Sequence, residues 1–295
     1  MATDELSAAR PRLRLRPRAQ SRPRSGRRFS RWHLLLMPLS LLFLLPLAQM
    51  VLASFTNDSD INRFPPRFIP SSLHISGYVR LFHDAPVARW MLNSAIVSTV
   101  AIVSHLVLCS LGGYAYARLS FRGRGVAFVT LLATIMIPTQ MLMIPTYFMF
   151  SHLGLIDTLA AAFVPFLASA FGVFLMRQFF LSLPKELEEA GRIDGLTTLG
   201  VLVRIVLPLA RPALATLAVF TLLNSWNDLL WPLIAINDPN KYTIQLGLIN
   251  FQGAHHVDWQ ELMACNVVAT APLIVGFLVA QRQFVQTMSM TGLKG

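Results

Sequence analysis

Six long apolar runs constrain this chain more strongly than any other feature of its sequence. Each run has enough residues to cross, as a helix, a hydrocarbon core about 30 Å thick, which takes about 20 residues. None alternates apolar and polar residues as a membrane-barrel strand does, and helical bundles are the other architecture that spans a bilayer. We therefore predict an all-α membrane protein with six transmembrane helices. The runs cover residues 33–55, 91–117, 126–150, 158–176, 205–230 and 262–280.

The composition agrees with a membrane domain. Of the 295 residues, 54% are hydrophobic and 13% are charged, which is too apolar for an ordinary soluble domain. We predict two regions: a basic tail, residues 1–32, and one six-helix transmembrane domain, residues 33–295.

Basic residues are distributed unequally between the two sides. If successive runs cross the membrane in alternate directions, 20 of the 25 lysines and arginines lie on the side that holds both termini, counting Arg211 at the near end of the fifth run. Cytoplasmic segments carry the excess of basic residues. Both termini are therefore predicted to be cytoplasmic. The other side holds Arg63, Arg67, Arg80, Arg89 and Lys241.

The tail, residues 1–32, is strongly basic. Ten arginines against two acidic residues leave a net charge of +8, out of +11 for the chain. Its low apolar content predicts disorder. Such a segment can lie against anionic lipid headgroups or attract nucleic acid. We favour the lipid bilayer and predict no nucleic-acid partner, because no aromatic residue interleaves with the arginines before Phe29 and Trp32.

Several functional classes are disfavoured. Away from their ends the six runs contain no Asp, Glu or Lys, whereas ion-coupled secondary transporters generally need ionisable groups at mid-depth. The chain has no GxxxxGK(S/T) phosphate loop, since Gly-Lys never occurs. It also lacks a nucleophile elbow and an HExxH helix. We predict that the chain is not an enzyme and holds no cofactor.

No metal site is predicted either. His255, His256 and Asp258 are close in sequence, but without further ligands at fixed spacing a solvated external loop is favoured. Cys109 and Cys265 form neither a CxxC motif nor a disulfide framework.

Residues 184–208 place charge between two apolar runs, in the stretch PKELEEAGRIDGLTTLGVLVRIVLP. Pro184 suits a first helical turn, and the glutamates follow where the helix dipole favours negative charge. We predict a short helix over 184–193. Arg192 follows Glu188 by four residues and Glu189 by three, which predicts opposite charges side by side on the surface. Gly195 suits a left-handed C-terminal cap.

Thr197 or Thr198 can begin the next helix. A helix of about ten residues is marginal alone. On physical grounds two roles remain equal: a linker helix lying on the membrane, or a helix docked against a partner.

A resemblance favours docking. Glu189-Ala190-Gly191, then Gly195, then Ile205-Val206-Leu207-Pro208 after nine residues, resembles the EAA signature of inner-membrane permease subunits of ABC importers. The pattern usually has a second Ala where this chain has Gly191. The stretches 224–232, 281–286 and 292–295 resemble the carbohydrate-uptake, maltose-permease-like branch. Glycerol-3-phosphate permeases share much of this pattern.

The resemblance implies partners and a coupling surface. Two cytoplasmic ATPase subunits would bind and hydrolyse ATP, a second homologous permease subunit would complete the path, and an extracellular binding protein would deliver the solute. The coupling surface would consist of Glu189, Ala190, Gly191, Asp194 and Gly195. Of the external segments, 56–90 and 231–261, the resemblance favours the second for docking the binding protein.

The solute path is predicted at the outer half of the fifth run. Asn224, Trp226, Asn227 and Asp228 combine polar groups with an aromatic ring, which suits the hydroxyls and CH faces of a sugar. An interfacial aromatic belt is the alternative role for Trp226 and Trp231. The resemblance implies that the chain is a sugar or oligosaccharide permease subunit of an ATP-driven importer. The alternatives are a permease for glycerol-3-phosphate or another non-sugar solute, an ion-coupled secondary transporter and a non-transporting scaffold.

Overall fold

The computed structural model describes residues 31–61, 72–252 and 257–291. The basic tail up to residue 30, His255, His256 and residues 292–295 lie outside these ranges, as do the prolines at 65, 66 and 70. Within the described ranges the chain is helical, with no β-strand beyond a single bridge between Gln252 and Val257. The expectation of an all-α protein is confirmed for this part of the chain.

The helices are α1 (Arg31–Ser54), α2 (Asp58–Ile61), α3 (Ser76–Asp84), α4 (Val87–Arg118), α5 (Arg124–Thr134), α6 (Thr139–His152), α7 (Leu159–Phe163), α8 (Ala170–Ser182), α9 (Glu186–Ile193), α10 (Thr198–Val201), α11 (Leu207–Leu209), α12 (Arg211–Trp226), α13 (Leu230–Ala235), α14 (Ile244–Leu248) and α15 (Trp259–Thr291). A π-helical turn covers Leu202–Val206. Short 3₁₀ turns cover Val164–Phe166, Pro239–Lys241 and Ile249–Phe251.

Three single helices are long and apolar enough to cross a membrane: Trp32–Ser54, Val87–Arg118 and Trp259–Gln281. Three further candidates are pairs of helices bent at a short break, so the described residues hold three to six possible spans. The pairs are Arg124–Thr134 with Thr139–His152 (97°), Leu159–Phe166 with Ala170–Ser182 (44°), and Thr198–Leu209 with Arg211–Trp226 (80°).

The bends lie where the sequence interrupts helical hydrogen bonding. Pro138, with φ −59° and ψ 129°, precedes α6 in an extended conformation. Ser169 is likewise extended and caps α8, its hydroxyl accepting from the Gly172 N–H at 3.0 Å. Pro212 lies in the first turn of α12, where its missing N–H costs nothing. The runs 126–150, 158–176 and 205–230 are thus broken helices rather than straight ones.

The chain divides into two compact units, Met1–Leu45 and Pro46–Gly295. Of the first unit the structure describes residues 31–45, the beginning of α1, where the side chains from Trp32 to Leu45 are exposed. All packing described below lies within the second unit.

The long helix α4 organises the second unit, because α8 and α12 pack along it. Gly113 permits a close approach: a Cβ there would lie 2.7 Å from the Cβ of Met176 and 2.9 Å from the backbone nitrogen of Arg177 on α8. Near the other end of α4, the Trp90 ring is buried under α14 and its Nε1 donates to the Pro239 carbonyl at 2.8 Å. Both ends of α4 are thereby fixed by packing.

A polar network joins α3 to the start of α15. Arg80 Nε donates to Glu261 Oε1 at 2.6 Å, and its Nη2 lies 3.3 Å from carboxylate oxygens of Asp58 and Asp258. The hydrogen bond to Glu261 is the main cause that raises the pKa of Arg80 above its ordinary value, and the three carboxylates add to it. The network closes the end of the unit opposite α9.

Candidate functional site

The charged segment folds into α9 followed by a capped turn. α9 covers Glu186–Ile193 and begins two residues later than predicted. The Gly195 N–H donates to the Arg192 carbonyl at 3.0 Å, and the Leu196 N–H donates to the Gly191 carbonyl at 2.9 Å. These two bonds form a Schellman cap, and Gly195 has the φ of +82° that this cap requires. The predicted left-handed cap is confirmed.

A bent connection leads from α9 to α12. Thr197 caps α10, its Oγ1 accepting from the Gly200 N–H at 3.2 Å, which confirms one of the two predicted starts. The π-helical turn Leu202–Val206 follows, and the chain then bends by 80° at Ala210. Ala210 is fully buried and belongs to an apolar cluster that includes residues of α4 and α8, so the bend lies in the packed core.

Most of the predicted coupling residues lie on the surface. Glu189, Ala190, Asp194 and Gly195 are exposed. They are joined there by two apolar side chains, Leu187 at 42% exposure and Ile193 at 86%. Leu187, Ala190 and Ile193 are three residues apart in turn, so they form one apolar strip along the exposed side of α9.

Gly191 differs from the other residues of the signature, because it is buried within the chain. A Cβ at this position would collide with Ile205 Cδ1 and would contact Val201 Cγ2 at 3.4 Å. Because glycine has no side chain, α9 can pack directly against the π-helical turn Leu202–Val206 that follows it in the chain.

Glu188 is buried too, and the surface pair with Arg192 predicted for it is wrong. Its Oε1 lies 2.6 Å from Arg118 Nε at the end of α4, with 5% of the arginine and 7% of the glutamate side chain exposed. The Tyr114 hydroxyl donates to Oε2 at 3.0 Å. Sequence spacing could not reveal these contacts, because the partners lie about 70 residues away along the chain.

A second feature is a cavity of about 530 Å³ lined by residues of α4, α6, α7, α8, α12 and α13. Aromatic rings and uncharged polar groups share its wall, and among the lining residues Asp228 is the one carboxylate, with no Lys or Arg. The polar lining residues are His105, Thr139, Gln140, Ser169, Thr221, Asn224, Ser225, Asp228 and Thr243; the aromatic ones are Phe163, Phe166, Phe171, Phe220 and Trp231.

The cavity contains two of the four residues predicted for the solute path. Asn224 and Asp228 line it. Asn227 is exposed elsewhere and accepts a hydrogen bond from Gln245 Nε2 at 3.1 Å. Trp226 is 3% exposed and its Nε1 donates to the Ala269 carbonyl on α15 at 3.0 Å, so it joins two helices instead of facing the cavity.

Trp231, for which an interfacial belt and solute contact were the two roles considered, lines the cavity. It is 2% exposed, and its Nε1 donates to the Ala161 carbonyl at 2.8 Å. Trp226 and Trp231 are both buried, whereas a belt residue presents its ring to the lipid interface.

Sequence analysis missed His105, which lies in the middle of α4 and lines the cavity. It is 7% exposed, and its Nδ1 donates to the Ala101 carbonyl at 2.8 Å. The Nε2 of a neutral ring is then an acceptor. A signal for it exists in the sequence, because His105 is an ionisable residue inside the apolar run 91–117. The prediction rested on Asp, Glu, Lys and Arg alone.

The model of the family described as "Binding-protein-dependent transport system inner membrane component" matches residues 109–290. The chain belongs to this family. The matched residues of this family member include all of α9 and the larger part of the cavity wall, and the resemblance drawn from the EAA signature is confirmed.

Related proteins align with most of this chain. The arabinooligosaccharides transport system permease protein AraQ of Halalkalibacterium halodurans is 35% identical over 253 residues, 85% of this chain and 91% of the relative. AraQ of Bacillus subtilis is 32% identical over 265 residues, 89% and 94% of the two chains. The sn-glycerol-3-phosphate transport system permease protein UgpE of Yersinia pestis is 32% identical over 263 residues, 86% and 93%.

Solved structures share the fold of this family member. A chain of a bacterial ABC transporter involved in import of the acidic polysaccharide alginate superposes with a TM-score of 0.76 at 25% identity, covering 87% of this chain and 99% of that one. A chain of a bacterial alginate transporter in complex with an alginate pentasaccharide-bound periplasmic protein gives a TM-score of 0.58 at 18% identity, over 84% and 92%, and shows likeness of fold alone.

Proposed function

We propose that this family member is a permease subunit of an ATP-driven importer and forms half of a path for a neutral sugar or oligosaccharide. The observation that carries the proposal is the exposed face of α9, which presents Glu189 and Ala190 of the EAA signature beside the apolar Ile193. This face has the character of a helix that enters a groove on a partner.

The proposed partner of α9 is a cytoplasmic ATPase subunit. Its groove would cover Leu187, Ala190 and Ile193, and a basic or hydrogen-bonding group would meet Glu189. Closure of an ATPase dimer would then move the α9 helices of two permease subunits, this chain and a homologous one. Such coupling requires the ATPase states to bind α9 with different free energies.

The proposed topology counts each bent helix pair as one span, which gives six spans with both termini in the cytoplasm. Broken helices are tolerated at membrane depth where they line protein or a watery cavity, and α6, α7 and α12 each contribute to the cavity wall. The distribution of Lys and Arg supports the orientation. α9 would lie on the cytoplasmic side, and the Arg80 network on the side where an extracellular binding protein delivers solute.

The charge of the cavity wall favours a neutral solute. A phosphate or uronate group would meet the Asp228 carboxylate and no cationic side chain of this chain's lining. Sugar hydroxyls can instead pair with Asn224, Gln140 and Thr243, while aromatic rings take up the CH faces. The lining therefore favours oligosaccharides, which the relative AraQ is named for, over glycerol-3-phosphate, which the relative UgpE is named for.

The coupling role is tested by reversing one charge on α9. Because Glu189 is exposed, we expect Glu189→Lys to leave the chain inserted but to abolish ATP-dependent uptake and copurification of the ATPase. The matched control is Glu186→Lys, one turn earlier, exposed and outside the signature. Full uptake in the Glu189 variant, or equal loss in both variants, would contradict the proposal.

The solute class is tested with the whole assembly in proteoliposomes. We expect ATP-dependent uptake of neutral oligosaccharides and none of glycerol-3-phosphate or an acidic oligosaccharide. Preferential uptake of the anions would refute the neutral path. Uptake that survives ATP depletion and collapses with an ionophore would indicate an ion-coupled transporter instead.

A further inference from the structure

A buried charge cluster joins three helices where α4 ends. Glu188 on α9 contacts Arg118 and Tyr114 on α4 through separate carboxylate oxygens. The Nη2 of Arg118 also donates to the carbonyls of Phe180 and Leu183, at 2.8 and 2.6 Å, where α8 ends. Tyr114, Arg118 and Glu188, called here the 114–118–188 cluster, thus connect α9 to both α4 and α8.

Stability alone does not account for this cluster. A buried ion pair can often be replaced by apolar side chains of similar volume without loss of stability, whereas removal of one partner leaves an unpaired buried charge at high cost. Hydrogen bonds do, however, fix direction as well as distance. The Tyr114 hydroxyl donates to Glu188 Oε2 and Arg118 Nη2 donates to two carbonyls, whereas Arg118 Nε and Glu188 Oε1 form a close charge contact without hydrogen-bond alignment. The distinctive contribution of the cluster is therefore a defined orientation of α9 relative to α4.

α4 also carries part of the cavity wall. His105, Ala101 and Val97 line the cavity, and His105 lies thirteen residues before Arg118, or about 20 Å along a helix at about 1.5 Å per residue. The covalent route from α9 to the cavity passes instead through the π-helical turn and the 80° bend before α12. Because α4 is one unbroken helix, it is the stiffer of the two connections.

We propose that the 114–118–188 cluster makes α9 and α4 move as one rigid body, so that displacement of α9 reaches the cavity through α4. Tyr114, Arg118 and Glu188 are thereby positioning residues for transport, and none of them contacts solute or nucleotide. The inference rests on the proposed function in one respect, namely that α9 is the part of the chain that an ATPase displaces.

The first test measures the joint itself on the purified chain, without an ATPase. Breaking the pair with Glu188→Gln is expected to increase amide hydrogen exchange of α9 about tenfold relative to the unaltered chain. Glu186→Gln, an exposed neighbour, is the control and is expected to change nothing. Unaltered exchange of α9 in Glu188→Gln overturns the proposal, whatever the fate of the proposed function.

The second test separates a mechanical role from charge burial in the whole assembly. Glu188→Gln is expected to retain the ATPase subunits while solute transported per ATP hydrolysed falls about tenfold. Glu188→Gln leaves the Arg118 charge buried without a partner and is expected to lower the amount of inserted protein. Arg118→Met/Glu188→Met removes both charges, so the amount of inserted protein is expected to return to that of the unaltered chain while transport per ATP stays low. Recovery of transport in the double variant would show that the cluster only avoids an unpaired charge, and would overturn the proposal.

The two proposals fail in different ways. If the unaltered chain binds no ATPase, the proposed function fails while the exchange measurement still decides whether the joint exists. If the ATPase binds and Glu188→Gln transports normally per ATP, the proposed function stands and the rigid joint is refuted.

Discussion

At the scale of single residues, neighbouring positions on α9 have opposite environments. Ala190 is exposed, whereas Gly191 faces Ile205 and Val201 of the same chain. One face of an eight-residue helix is therefore committed to folding, and the other is left for a partner.

Substitution at Gly191 tests this division. A valine there would overpack α9 against Ile205 and Val201, so Gly191→Val is expected to destabilise the chain by about 1–3 kcal/mol. The measurement is thermal unfolding of the purified chain in detergent. Ala190→Val is the control. We expect it to leave the thermal unfolding midpoint unchanged and to weaken association with the ATPase. Gly191→Ala is expected to be nearly neutral, because the flexible end of Ile205 can rotate away and alanine gains about 1 kcal/mol of helix propensity. An equal loss of stability at both positions would contradict the division of faces.

Two asparagines three residues apart, Asn224 and Asn227, also have different environments. Asn224 lines the cavity, and Asn227 does not. Loss of a hydrogen bond to a sugar hydroxyl weakens binding by about 0.5–1.5 kcal/mol. Asn224→Ala is therefore expected to raise the KM for uptake several-fold without altering ATPase copurification, while Asn227→Ala leaves KM unchanged. Equal KM values in the two variants would remove Asn224 from the solute path.

At the scale of elements, local signals in the sequence were sufficient for α9. Proline, glutamates, glycine and threonine set its start, its left-handed cap and the next helix through bonds among near neighbours, and the structure agrees to within two residues. The 114–118–188 cluster could not be predicted, because residues about 70 positions apart meet only through tertiary packing. Likewise, apolarity located the runs 126–150 and 205–230, but it could not determine where each would bend.

The approach of α14 to α4 gives a prediction at this scale. A Cβ on Gly247 would enter the Trp90 ring, which is almost fully buried and cannot move aside. Gly247→Ala is therefore expected to cost about 1–3 kcal/mol through overpacking. Gly125→Ala on α5 is the matched control, because no atom lies within 4 Å of its added Cβ and helix propensity favours it by about 1 kcal/mol. The measurement is the thermal unfolding midpoint of each purified variant. We expect the midpoint to fall for Gly247→Ala and to hold or rise for Gly125→Ala. Equal midpoints in the two variants would contradict the packing of α14 on Trp90.

At the scale of the whole molecule, the two features that the function needs lie in one packed unit. The cavity is lined by α4, α6, α7, α8, α12 and α13, and α9 contacts the end of α4. In the proposed topology, α4 extends from the extracellular face, near the Arg80 network, to the cytoplasmic face, at α9. Coupling to a cytoplasmic ATPase requires α9 to lie on the cytoplasmic side.

Cysteine labelling in intact cells tests that orientation. Cys109 and Cys265 are both fully buried, so the native chain is expected to react little with a membrane-impermeant maleimide. Asp84→Cys, at the exposed end of α3, is expected to react from outside, because α3 lies at the proposed extracellular end. Glu186→Cys, at the exposed start of α9, is expected to react only after the cells are permeabilised. Labelling of Glu186→Cys in intact cells would place α9 outside, where no ATPase could reach it, and the coupling role would have to be abandoned while the packing of the helices remained.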